Sequence, residues 1–279
     1  MSAPRRPVLR YHGGKWRLAP WIISHFPPHR VYVEPFGGAA SVLLRKQPAA
    51  LVDVYNELDG EIVNLFRVLR DPDLSVQLCD AITLTPYARA EFALSYELST
   101  DPVEQARRTA VRAYMGFGSD SASGARTGFR ANGNRQNMHP ARDWIGYPKA
   151  LALIVERLRG VVIENRDASD CMRQHDASST LHYVDPPYIP DSRSVHTRRS
   201  GKGYRHELTA AEHESLAAAL HDMAGMVVLS GYDSDLYRAL YDGWRRSERA
   251  ARADAGLYRT EVLWLNPGCA RALTAGTAA

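Results

Sequence analysis

Cysteine is scarce in this 279-residue chain: Cys79, Cys171 and Cys269 lie far apart, with no CxxC spacing. An odd number so placed argues against a disulfide framework and a thiolate zinc site, and fits reduced thiols in a cytoplasmic protein. Long apolar runs are also missing. Nothing approaches the 18 residues of a membrane span, and the opening "MSAPRRPVLRYHGGK" carries charge without the apolar stretch of a secretory leader. The expectation is therefore a soluble cytoplasmic protein, with neither a membrane nor a metal as partner. Neither G-x-G-x-x-G nor G-x-x-x-x-G-K-[ST] occurs, so the usual pyrophosphate and triphosphate cradles are not expected.

Acids are missing where cations gather. From Arg107 to Arg142 seven arginines face one acid, Asp120, and from Ser192 to His206 five Arg or Lys face none. The net charge is only +4, so placement matters more than the total, and this placement favours a polyanionic partner over a merely solvated face.

What is present is an ordinary globular composition, 45% hydrophobic and 24% charged, long enough for one large domain or one domain with an insert. "RVYVEPFGGAASVLL" predicts a strand, a glycine turn and a helix carrying Val42, Leu43 and Leu44. "AALVDVYNELDGEIVNLFRVLRD" repeats the scheme, with a strand ending near Asp53 and a helix bearing Ile62, Leu65, Phe66 and Leu69. Residues 72–148 break the rhythm. It resumes with helix "YPKALALIVERL", strands "GVVIENRD" and "LHYVD", helix "TAAEHESLAAALHDM" and strands "GMVVLSGYD" and "TEVLWLNP". The reading is an α/β fold with a parallel sheet. Its core is split by an insert at 72–148, and residues 271–279 form a disordered tail.

Three motifs carry chemistry. In "VEPFGGAAS", Gly37 and Gly38 let the backbone approach a ligand at a strand-to-helix turn. Glu34 before them suits a cofactor with a nucleoside and a positive charge better than a phosphate. An acid ending the next strand, Asp53, can bind a ribose hydroxyl pair. In "YHGGKW", Lys15 can pair with a carboxylate of the site such as Asp185. In "YVDPPY", Asp185 ends a strand, Pro186 and Pro187 remove two backbone donors, and Tyr188 offers a ring face. Two converging acceptors beside an aromatic platform describe a pocket for an exocyclic amine on a planar base, with stacking worth roughly 1–3 kcal/mol. Holding both amine hydrogens turns the nitrogen lone pair toward a methyl donor.

"YHGGK", "VEPFGGAAS", "VDVYNE", "ENRD" and "YVDPPY", in this order, resemble the Dam-type (D12 class) DNA adenine N6-methyltransferases over about residues 8–267. The resemblance implies a Rossmann-like methyltransferase mixed sheet with helices on both faces. It also implies an S-adenosyl-L-methionine-binding catalytic domain made of residues 1–71 and 149–270, and a mostly helical target-recognition domain at 72–148. It makes Tyr11, Lys15, Glu34, Phe36, Gly37, Asp53, Asp167 and Asp185 cofactor-binding, and Asp185, Pro186, Pro187 and Tyr188 catalytic. Double-stranded DNA is the implied partner, with Arg126, Arg130, Asn132, Arg198, Arg199 and Lys202 as candidate contacts. It admits a restriction-endonuclease counterpart and a monomer or weak dimer. Cytosine N4 methylation poses the same chemical problem and stays an alternative, as do an inactive DNA-binding module and, less well supported, a protein glutamine methyltransferase.

Overall fold

The computed structural model describes residues 4–118, 126–131, 140–188, 205–252 and 258–276. Seven strands form one sheet: β1 (Val31–Glu34), β2 (Val52–Asn56), β3 (Val161–Glu164), β4 (Thr180–Val184), β5 (Met226–Tyr232), β6 (Arg245–Arg252) and β7 (Tyr258–Leu265), in the order β3-β2-β1-β4-β5-β7-β6. All pairings from β3 to β5 are parallel, and β7 runs antiparallel to both β5 and β6. The winding reverses between β1 and β4, where an open α/β sheet leaves a crevice beyond its carboxyl ends. This is the expected mixed sheet, with one strand that the sequence did not reveal. β6, "RRSERAAR", lacks apolar alternation because it is an edge strand with one paired neighbour.

The helices are α1 (Ala19–Ile23), α2 (Gly60–Arg70), α3 (Pro72–Leu84), α4 (Arg89–Leu94), α5 (Pro102–Met115), α6 (Pro140–Ile145), α7 (Tyr147–Leu158), α8 (Ala168–His175), α9 (Ala210–His221), α10 (Asp235–Leu240) and α11 (Pro267–Gly276). Asp side chains start many of them: Asp59, Asp71, Asp101 and Asp167 accept from first-turn amides of α2, α3, α5 and α8. Thr209 and Glu212 form a reciprocal capping box on α9.

Alternation along the strands divides the core. Tyr32, Tyr55, Leu181 and Tyr183 face a large cluster that also takes in Phe66, Ile82, Val111, Tyr114 and Leu151, so helices of the 72–148 segment share the core of the sheet. Val184, Leu229, Val262 and Trp264 face a second cluster with Leu216, Leu220 and Tyr237. Among the described residues no helix is long and apolar enough to cross a membrane, and no group of three His, Cys, Asp or Glu is placed to hold a metal ion.

Two expectations are corrected. No regular helix follows β1: residues 38–45 form successive turns, because Gly38 (φ 48°) and Ala40 (φ 52°) take left-handed backbone angles that end a helix before it starts. The stretch expected as a disordered tail is helical to Gly276 in α11, which is docked by the fully buried Cys269 and by Leu273 packed on the core.

Candidate active site

A cavity of about 250 Å³ lies beyond the carboxyl ends of β1 to β4, at the reversal of winding. Tyr11, Lys15, Glu34, Phe36, Gly37, Asp167, Asp185 and Pro187 line it, which brings most of the sequence-derived candidates into one place.

The glycine turn owes its residues to close packing. A β-carbon on Gly37 would stand 2.1 Å from Tyr55 Cε2, and one on Gly38 would stand 2.8 Å from Tyr11 Cε1. The Tyr55 hydroxyl then donates to the Gly38 carbonyl at 2.7 Å, fixing the turn. Glu34, 3% exposed at the end of β1, accepts from the Tyr32 hydroxyl at 2.6 Å and the Leu43 amide at 2.9 Å. Burial outweighs these bonds and raises its pKa to about 8, so at neutral pH it is a largely protonated wall of the cavity.

Asp185 follows the last residue of β4. Lys15 Nζ lies 3.0 Å from its Oδ1 and donates to the Gly13 carbonyl at 2.9 Å. Oδ1 is buried without a well-aligned donor among the described residues, although the Lys15, Tyr188 and Tyr183 side chains are near enough to favour its charged form. Burial raises the Asp185 pKa, and Lys15 opposes the rise. The same ammonium sits 4.5 Å over the Tyr188 ring. Tyr188 itself is 7% exposed and not on the cavity wall, so the ring expected as an open platform is covered in this state.

Asp53 is the one cofactor candidate that lies elsewhere. Its strand continues three residues beyond it to Asn56, which sets Asp53 roughly 10 Å back from the rim. There it is paired with Lys46 at 2.8 Å and Arg157 at 2.7 Å and accepts from the Ala49 amide at 3.1 Å. It does not line the cavity.

The rim beyond β2 supplies residues that the motif reading missed. Glu57 receives the amides of Gly38, Leu58 and Asp59 at 2.8, 2.9 and 3.0 Å, and burial raises its pKa. Asn56 donates to the carbonyls of Pro35 and Arg166 and accepts the Arg166 amide, joining three loops. Asp59 Oδ1 accepts from the Glu61 amide at 3.0 Å and from Arg205 at 2.9 Å. Its Oδ2 is buried without a hydrogen-bond partner among the described residues. Arg205 also bonds Glu61 at 2.5 Å, and Glu61 pairs in turn with Arg112 of α5. The acidic run "NELD" was the available signal for this rim.

In the 72–148 segment, a bridge between Gly116 and Phe129 closes a loop. Arg126 is exposed, 5.2 Å over the Tyr96 ring. Arg130, the next candidate DNA contact, is only 11% exposed at its side chain and lies 3.8 Å from Asp143. Phe117, 61% exposed, is an aromatic that the sequence reading passed over. Asn132, Arg198, Arg199 and Lys202 lie outside the described residues.

Residues 11–254 match the family of D12 class N6 adenine-specific DNA methyltransferases. A DNA adenine methylase of Vibrio cholerae serotype O1 is 23% identical over 249 residues, 86% of each chain. The DNA adenine methylase of Serratia marcescens is 25% identical over 246 residues, 85% of this chain and 87% of that protein. That of Haemophilus influenzae is 24% identical over 257 residues, 85% of this chain and 83% of that protein.

Proposed function

The chain belongs to the D12 class N6 adenine-specific DNA methyltransferases, and from that premise we propose that it moves a methyl group from S-adenosyl-L-methionine to the N6 amine of an adenine flipped out of double-stranded DNA. The observation that carries this reading is Asp185, a carboxylate ending β4 inside the cavity, whose Oδ1 has a cation beside it but no aligned donor. An amine hydrogen would supply an aligned donor in the lysine's place, and we assign the second hydrogen to the carbonyl of Pro186. With both hydrogens held, the nitrogen lone pair is drawn out of conjugation with the ring and aimed at an electrophilic carbon.

The cavity fits the cofactor on an observation independent of Asp185. Asp59 Oδ2 is a buried acceptor without a partner, on the cavity wall, and a ribose hydroxyl would satisfy it. We therefore assign the ribose to Asp59 in place of Asp53. Tyr11, Phe36 and the Gly37-Gly38 backbone would hold the rest of the molecule, with Asp167 beside its base. When bound, the cofactor supplies the activated methyl group. Lys15 meanwhile contacts both groups the target needs, the Asp185 carboxylate and the Tyr188 ring, so it must yield both as the base enters.

Flipping a base out of a duplex costs a few kcal/mol. Phosphate contacts from the arginine-rich stretches offset that cost and make binding weaken with salt. Exposed Arg126 and Phe117 support a DNA-facing role for the loop closed by Gly116 and Phe129. Asn132, Arg198, Arg199 and Lys202 are assigned to the same partner on sequence alone.

The test is transfer of labelled methyl from S-adenosyl-L-methionine to unmethylated genomic DNA, followed by nucleoside analysis. Label in N6-methyladenine is the expected result. Label in N4-methylcytosine would keep the pocket and change the base, and DNA that is bound but unlabelled would overturn the catalytic reading.

A further inference from the structure

Strand β7 ends in Thr260-Glu261-Val262-Leu263-Trp264-Leu265, and every residue from Glu261 onward is buried. A carboxyl group at 8% exposure in so apolar a strand is costly unless it is bonded. Glu261 Oε2 accepts the Tyr188 hydroxyl at 3.0 Å, and the same hydroxyl lies 3.0 Å from Ser230 Oγ. The antiparallel register sets Glu261 directly opposite Tyr232, whose ring meets that of Tyr188 at 4.5 Å and 74°. Ser230 precedes Tyr232 by two residues and so shares its face of β5. Three neighbours on two strands thus grip one side chain, two by its hydroxyl and one by its ring.

We propose that Glu261 is a positioning residue for methyl transfer: by accepting the Tyr188 hydroxyl it fixes the ring on which the target adenine stacks. The inference rests on the adenine reading above. Glu261 is not on the cavity wall and touches Tyr188 from behind, so its influence passes through the tyrosine. A tyrosine turns about two side-chain bonds, and a platform that turns forfeits part of its stacking energy when the base arrives. Lys15 lies over the ring now and must leave it, which removes one of the contacts holding the ring still. The carboxyl–hydroxyl bond remains. Glu261 therefore holds the platform at the moment when the lysine no longer does.

The experiment compares Glu261→Met, which removes the acceptor, Glu261→Gln, which keeps one, and Tyr188→Phe, which removes the donor. Methyl transfer to DNA is measured together with 2-aminopurine fluorescence at the target base. Glu261→Met should lower kcat about 10- to 100-fold, the scale for leaving a buried hydroxyl without its acceptor. KM for S-adenosyl-L-methionine should stay within about twofold, because uniform cofactor binding is untouched. Glu261→Gln should recover most of the rate. Tyr188→Phe, which also gives up the Ser230 contact, should lower kcat at least as far as Glu261→Met, and the double variant should fall no more than about threefold below Tyr188→Phe, since the Glu261 bond can be lost only once. The flipping signal should drop in step with kcat. Losses that multiply in the double variant, or Glu261→Met with wild-type kcat and fluorescence, would overturn the proposal. If Glu261→Met does not fold, Tyr188→Phe and Glu261→Gln still decide it: equal, large losses in both are not what a retained acceptor allows. Wild-type protein that methylates no DNA overturns the adenine reading and this inference together, whereas an active wild type with an indifferent Glu261→Met overturns the inference alone.

Discussion

Two buried lysine–aspartate pairs sit on the same sheet and differ in what surrounds them. Lys46 and Asp53 are 2.8 Å apart, with the ammonium 4.4 Å over the Tyr32 ring. Lys15 and Asp185 are 3.0 Å apart, with the ammonium 4.5 Å over the Tyr188 ring. At Asp53 the donors are in surplus: Lys46, Arg157 and the Ala49 amide all reach it, and they outweigh the burial that works to raise its pKa and leave it below the ordinary value. At Asp185 burial prevails, its pKa is raised, and one oxygen lacks an aligned donor. A satisfied acid in mid-strand is a fastening. An under-satisfied acid at the rim is a place for something else to bind.

The largest expected effect tests the fastening. Asp53→Ala would leave Lys46 and Arg157 buried without their acid, at a loss of about 3–5 kcal/mol of folding stability. Urea unfolding measures it. The comparison breaks if the variant folds normally and instead loses cofactor affinity. The complementary change, Asp185→Ala, should lower methyl transfer about 10²–10³-fold, the scale for one preorganised hydrogen-bonding group in a closed site. DNA binding by gel shift should stay unchanged. Near-normal turnover would remove Asp185 from the chemistry.

Part of this contrast was legible in the sequence. "DPPY" after "LHYV" placed Asp185 at a strand end, because prolines cannot continue the ladder. "VDVYNE" offered no such stop after Asp53, so the sequence places the strand end three residues before Asn56, where the strand stops. The strand–helix rhythm held wherever apolar periodicity was present, from β1 to β5 and in β7. It failed where other forces decide. The polar edge strand β6 has no alternation to read, and a left-handed Ala40 replaced the helix after the glycine pair with turns. The buried Cys269 anchored a terminal helix where composition suggested disorder. Glu261 could have been suspected as the lone acid in "EVLWL", but its partner lies 73 residues away in the chain and only the folded register joins them.

Asp59→Asn keeps the α2 cap and the acceptor facing Arg205, but places an amide where Oδ2 now stands unpartnered. KM for S-adenosyl-L-methionine should rise about tenfold, the worth of one hydrogen bond to a charged group. Asp53→Asn, in its folded fraction, should leave that constant alone. Equal effects from both would return Asp53 to the site.

The smallest effect separates the two kinds of acid by the sign of their pH dependence. Asp53 has a folded pKa below its unfolded one, so its stabilisation is present above the unfolded value and is lost as pH falls through the folded one. Glu34 lies on the other side: burial raises it from 4.5 to about 8, so the folded chain holds a proton that the unfolded chain has released. Its contribution is full below 4.5 and is lost as pH rises toward about 8. Thermal midpoints should therefore decline below pH 3.8, where Asp53 takes up its proton, and again from pH 4.5 toward about 8, where Glu34 gives up its own. Asp53→Asn should lower the maximum and shrink the acid-side decline, because Asn cannot gain the proton; the rest of that decline belongs to other carboxyls held low by arginines, Glu61 and Glu104 among them. Glu34→Gln should flatten the decline on the alkaline side, since a glutamine can still accept from Tyr32 and Leu43 without ever ionising. An alkaline decline that survives Glu34→Gln would move the buried proton to another carboxyl of the rim, with Asp185 and Glu57, both raised by burial, as the next groups to replace.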